Sequence, residues 1–142
     1  MWNKFLTTDD PAREKYGAAK DSHPEEYARI LQILRENGVE IDQSRPMMAY
    51  SPAKNRPGRF IIDSEASIAA LRYEFKHFLD DKAAGYPGLK FYREDDQKFW
   101  EMEFWAFAEE LKFAREQKDY DLTRKIVKLM RERKSEIFGK MI

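Results

Sequence analysis

The segment at residues 97–118 narrows the possible folds more than any other. Phe99, Trp100, Met102, Phe104, Trp105, Phe107, Ala108, Leu111 and Phe113 fall on nearly every side of a helix of that length. A helix that is apolar all round belongs inside a protein, with other elements against several of its faces. The pattern therefore predicts a central, buried helix, capped by Asp95 or Asp96. The helix also carries acids. Glu101 shares a stripe with Lys98 and suits a solvent edge, whereas Glu103 has Phe99, Trp100, Ala106 and Phe107 as its one-turn neighbours. A carboxylate on so apolar a face must be paired, hydrogen-bonded or metal-bound. Two readings of Glu103 stand: a buried salt bridge with an Arg or Lys, and membership of a chemical site.

A chain of 142 residues suffices for one domain around one core, here residues 1–142, with 1–22 as a poorly patterned arm. Aromatic residues make up 14% and argue for a filled core, although 37% of residues are charged. Lys plus Arg equals Asp plus Glu at 26 each, so net charge points to neither nucleic acid nor a membrane surface. There is no cysteine, which excludes a disulfide framework and a cysteine-based zinc site. No apolar run approaches the roughly 20 residues needed to span a membrane. The first ten residues lack a hydrophobic signal region, so no signal peptide is expected.

Helical spacing recurs at Tyr27, Ile30, Leu31, Ile33 and Leu34. Ser22-His23-Pro24-Glu25 resembles a capping box at its start, and Asn37-Gly38 supplies a stop. Residues 39–42, 47–50 and 59–62 read as short strands separated by proline- and glycine-bearing turns. They predict a small antiparallel sheet. Residues 66–82 form a second helix, with Ile68, Leu71, Phe75, Phe78 and Leu79 as the buried stripe and Ala70, Tyr73, Glu74, His77 and Asp81 on a second, presented face. Residues 82–95 are a loop. A last helix at 122–138 carries a core stripe of Leu122, Ile126, Leu129, Met130 and Ile137. Its basic face, including Arg124, Lys128, Arg131, Arg133 and Lys134, reads as solvated; nucleic-acid binding is the minor alternative. The fold class is α+β, mostly helical, with the sheet near the 66–82 helix.

Chemistry concentrates on that helix. The chain has two histidines, one of them in a helix-start context, so a site built on imidazole contains His77. Glu74 and His77 share a face, as do the glutamate and second histidine of an HExxH zinc-protease helix. Tyr73 stands where the first histidine would be. In such a site zinc lowers the pKa of its water and a carboxylate takes the proton. Here His77 would be a ligand, Glu74 the general base and Glu103 the downstream acidic ligand, with Tyr73 as a degenerate ligand position. The strand at 59–62 would be the edge to which a substrate peptide adds.

The wording around this helix resembles the zincin-like metallopeptidase toxin domains at the C-termini of bacterial polymorphic toxins. The resemblance rests on Ala49-Tyr50-Ser51-Pro52, Pro57-Gly58, Ala66 to Arg72, His77-Phe78-Leu79-Asp80-Asp81, Gly85-Tyr86-Pro87-Gly88 and the Glu103-Phe104-Trp105-Ala106 stretch, and it covers residues 25–135. It implies a zincin-like fold, zinc as cofactor, a protein or peptide substrate and a cognate immunity protein. It also implies delivery as a secreted effector acting in a target-cell cytoplasm, without nucleic acid or a membrane span. Tyr73 departs from the family pattern. It is a phenolate ligand, the mark of a pseudo-enzyme, or an inactivating substitution; loss of tight zinc binding ranks first, because affinity depends on ligand number and geometry. A non-catalytic pseudo-peptidase acting as a protein-interaction module is the alternative function.

Overall fold

A computed structural model describes residues 9–139. The elements run α1 (Arg13–Tyr16), α2 (Ala19–Ser22), α3 (Pro24–Glu36), β1 (Glu40–Asp42), β2 (Ala49–Ala53), β3 (Arg56–Ile61), α4 (Ile68–Ala83), α5 (Leu89–Arg93), α6 (Asp96–Glu116) and α7 (Tyr120–Gly139). The class is α+β, as expected.

Local chemistry explains most boundaries. α3 opens on Pro24 with Glu25 and Glu26 in its first turn and Arg35 in its last, the polarity a helix dipole favours. No side chain caps it, so the expected capping box does not form; Ser22 belongs to α2 and its hydroxyl lies 2.8 Å from His23 Nδ1. Gly38, at φ 77°, turns the chain into β1. The Ser67 hydroxyl caps α4, and Asp95 caps α6 by accepting from the amides of Gln97 and Lys98. α5 lies within the stretch read as a loop; five residues give too short a pattern to register as a helix.

The sheet is mixed rather than purely antiparallel, in the order β1-β3-β2. β2 and β3 form a tight hairpin and pair antiparallel, while β1 and β3 pair parallel. β3 therefore takes the middle slot. The expected substrate edge at 59–62 is already hydrogen-bonded on both sides and cannot accept a further strand. Gly58 is required here, since a Cβ at this position would lie 2.0 Å from the Ser51 carbonyl oxygen.

The sheet packs on α4, α4 packs on α6, and α7 covers another side of α6. Tyr50, Phe60, Ile68, Phe78, Phe113 and Ile126 are fully buried between these layers. Tyr50 and Tyr92 both donate hydrogen bonds to Asp81, tying the sheet and α5 to α4. Two expectations fail. α6 is not enclosed: Phe104 and Trp105 are 39% and 56% exposed, because α4, α5 and α7 leave one side open. On α4 the expected stripe is buried at Ile68, Leu71 and Phe78 but not at Leu79, and the face expected to be presented, with Tyr73, Glu74, His77 and Asp81, is buried as well.

The described part of the arm is folded down, although its sequence is poorly patterned. Ala12 and Ala19 are buried, the Ala19 amide donates to the Ala66 carbonyl, and Asp10 accepts from the Ser67 amide and hydroxyl. The rest of the arm, and the stretch expected to lack a signal region, lies outside the described residues but for Asp9 and Asp10. No helix among the described residues is long and apolar enough to cross a membrane.

Candidate functional site

One turn of α4 separates Tyr73 from His77, and their rings meet edge to face with centroids 4.9 Å apart. Packing of α6 on α4 brings Glu103 to both. His77 Nε2 lies 2.8 Å from Glu103 Oε2, and the Tyr73 hydroxyl donates to the same oxygen at 3.2 Å. From α7, Arg133 Nε donates to Glu103 Oε1 at 3.0 Å. The three positions singled out as metal ligands thus converge. Arg133, placed by sequence on a solvated basic face, is instead 4% exposed and completes the group. The salt-bridge reading of Glu103 is realised alongside its contact with His77.

Charge follows from this packing. Burial, the largest single influence, disfavours the His77 imidazolium, but the charge and hydrogen bond of Glu103, together with the charges of Glu74 and Asp80, raise the His77 pKa above its ordinary value. Burial and the neighbouring charges of Glu103, Glu74 and Glu110 hold the Tyr73 hydroxyl well above the usual phenol range, so Tyr73 remains a neutral donor.

Glu74 faces another way. It lines a cavity of about 370 Å³ together with Tyr73, Phe107, Glu110, Leu129 and Arg133; His77 and Glu103 lie outside that lining. The Tyr50 amide donates to the Glu74 carboxylate, while Glu74 Oε1 has no hydrogen-bond partner among the described residues. Burial pushes the Glu74 pKa up to about 7; His77 opposes this and Glu103 adds to it. Glu110, which was not singled out from sequence, is buried in the same cavity. Burial, with Asp10, Glu74 and Asp9 nearby, holds its carboxyl well above the usual range. A signal for it existed: Glu110 lies two turns after Glu103 on the same stripe of α6.

A catalytic zinc needs about three protein ligands and an open position. The present donor set does not fit that demand. Both Glu103 oxygens are engaged, one by a guanidinium. Tyr73 is held as the neutral phenol, and His77 contacts Glu103 directly, where ligands would be bridged by an ion. Among the described residues no group of three or more His, Asp or Glu side chains is placed to hold a metal ion. These side chains satisfy one another.

Comparison with protein-family models, with curated proteins and with solved structures gives no match.

Proposed function

We propose that this chain is a zincin-type peptidase scaffold, of the kind found in bacterial polymorphic toxins, whose metal position is closed by a hydrogen-bonded cluster. The observation that carries this reading is the convergence of Tyr73, His77 and Glu103, with Glu74 beside them on a cavity wall. A zinc-protease helix and its downstream acid call for the same convergence of the two helix positions and the acid. Tyr73 supplies a neutral hydroxyl in place of an imidazole, and Arg133 neutralises the acid that zinc would otherwise claim. The chain's own site therefore holds no tight zinc. Glu74 keeps the position and, at about 7, the pKa of a general base. A peptide substrate, a cognate immunity protein and action in a target-cell cytoplasm belong to this proposal.

The test is metal content of the parent chain beside Tyr73→His. The variant is expected to take up about one equivalent of zinc, orders of magnitude more tightly than the parent. It should gain peptidase activity that Glu74→Gln abolishes. A folded Tyr73→His chain that takes up no zinc would overturn the reading.

One observation favours the interaction-module alternative: Phe91, Phe104 and Trp105 are exposed on α5 and α6. If that alternative holds, neither residue at position 73 binds metal, and Trp105→Ala releases a partner captured by the parent chain.

A further inference from the structure

The cavity beside Glu74 carries a charge imbalance that the peptidase reading does not use. Carboxylates dominate its wall, and its two guanidinium groups are already engaged. Arg13 pairs with Asp63 at 3.0 Å, and Arg133 reaches Glu103 at 3.0 Å and Glu136 at 3.4 Å. On the inner wall Glu74 and Glu110 are 2% and 3% exposed, and neither has a salt bridge to a Lys or Arg among the described residues. Glu74 Oε1 lines this space without a hydrogen-bond partner among those residues. A buried carboxylate oxygen in that condition calls for a donor or a cation.

We propose that this cavity binds an organic cation, an alkylammonium or alkylguanidinium group such as the end of a lysine or arginine side chain, with Glu74 and Glu110 as its anionic partners. The rest of the wall selects this class. Ala66, Ala70, Phe107 and Leu129 give an apolar lining for a methylene stem. A space of about 370 Å³ is far larger than a bare metal ion, whose oxygen ligands must close to about 2.0–2.6 Å. The acids here are not grouped to do so. Asp9 and Glu132, exposed on the same cavity, put negative charge where a cation enters. The raised pKa of Glu110, caused by burial and by Asp10, Glu74 and Asp9, is consistent with a carboxyl that lacks a cation of its own. The inference needs only the cavity and stands or falls separately from the peptidase reading.

Isothermal titration of the full chain tests it, with five probes. These are n-butylammonium, the acetylated methylamides of lysine and arginine, the uncharged norleucine equivalent, and calcium chloride. The charged organic probes are expected to bind one to one, and norleucine about tenfold or more weakly, the effect of a charged hydrogen bond. Glu110→Gln should weaken the charged probes by a similar factor. Ala70→Leu, which fills the cavity, should abolish binding; thermal melts establish that both variants are folded. Equal binding of butylammonium and the amides assigns the site to free amines, and tighter binding of the amides assigns it to a basic side chain of a peptide. Either result supports the proposal. Norleucine binding as well as lysine would overturn it, as would calcium binding in place of the organic cations. Absence of binding by any charged probe at millimolar concentration would also overturn it, a result that needs no variant to interpret.

Discussion

Glu103 is where three helices meet. Its carboxylate takes hydrogen bonds from Tyr73 of α4 and Arg133 of α7 and contacts His77, and all four side chains are buried. Removing one member of a buried pair leaves the other charge uncompensated. Arg133→Met is therefore expected to destabilise the chain by about 3 kcal/mol, at the lower end of the range for breaking such pairs because His77 stays beside the acid. Arg133→Met combined with Glu103→Gln should recover most of that loss, as read by denaturant unfolding. Sequence alone isolated Glu103, because a carboxylate among Phe99, Trp100, Ala106 and Phe107 demands a partner. It did not supply Arg133. Position 133 lies in a basic run, and nothing in that run marks which cation turns inward. Glu110 carries the same local signal, since its one-turn neighbours Ala106, Phe107, Phe113 and Ala114 are apolar; what local pattern leaves out is the cavity it shares with Glu74.

At the scale of elements, the β2–β3 hairpin fixes the sheet. Its close approach at Gly58 leaves no room for a side chain, since the obstructing atom is the Ser51 backbone oxygen. Gly58→Ala should cost about 3 kcal/mol or more, within the range for changes that force backbone apart, and loss of amide-exchange protection should centre on residues 49–61. An unchanged melting curve would show that the strands can separate without penalty. The hairpin was legible from its turn residues; the parallel pairing of β1 was not. Short strands show where they begin and end, but register and order depend on which neighbour covers which face. α4 shows the same limit from the other direction. Its helical period was plain, yet periodicity does not show that both faces go inside when the polar face can satisfy its groups against Glu103, Tyr50 and Tyr92.

Over the whole molecule, the N-terminal arm closes the fold by anchoring to distant elements. Lys15 and Tyr16 both bond Asp119 at the junction of α6 and α7, Arg13 pairs with Asp63, and Asp10 holds Ser67. The Tyr16 hydroxyl, the Leu122 amide and Lys15 hold the Asp119 carboxyl well below its ordinary value of 3.8. A depressed carboxylate pKa contributes stability that is complete above the unfolded value and is lost as pH falls through the folded one. The melting temperature of Asp119→Asn should therefore trail that of the parent chain by several degrees at neutral pH. The gap should narrow below pH 3.8, where the unfolded carboxyl takes up its proton. A gap that stays constant from neutral to acid pH would assign the loss to packing rather than to this charge.

The amino-acid sequence by itself determined the α+β class, the main helices and strands, the demand that Glu103 find a partner, and the one-turn spacing of Tyr73 and His77 on α4. These follow from periodicity, caps and the cost of burying charge, all of which act over a few residues. Only the tertiary structure decided that Arg133 meets Glu103, that Glu74 and Glu110 share a cavity, that β3 is a central strand and that the arm is fastened down. Those outcomes depend on contacts between residues tens of positions apart, and local pattern carries no record of which distant surface a side chain will meet.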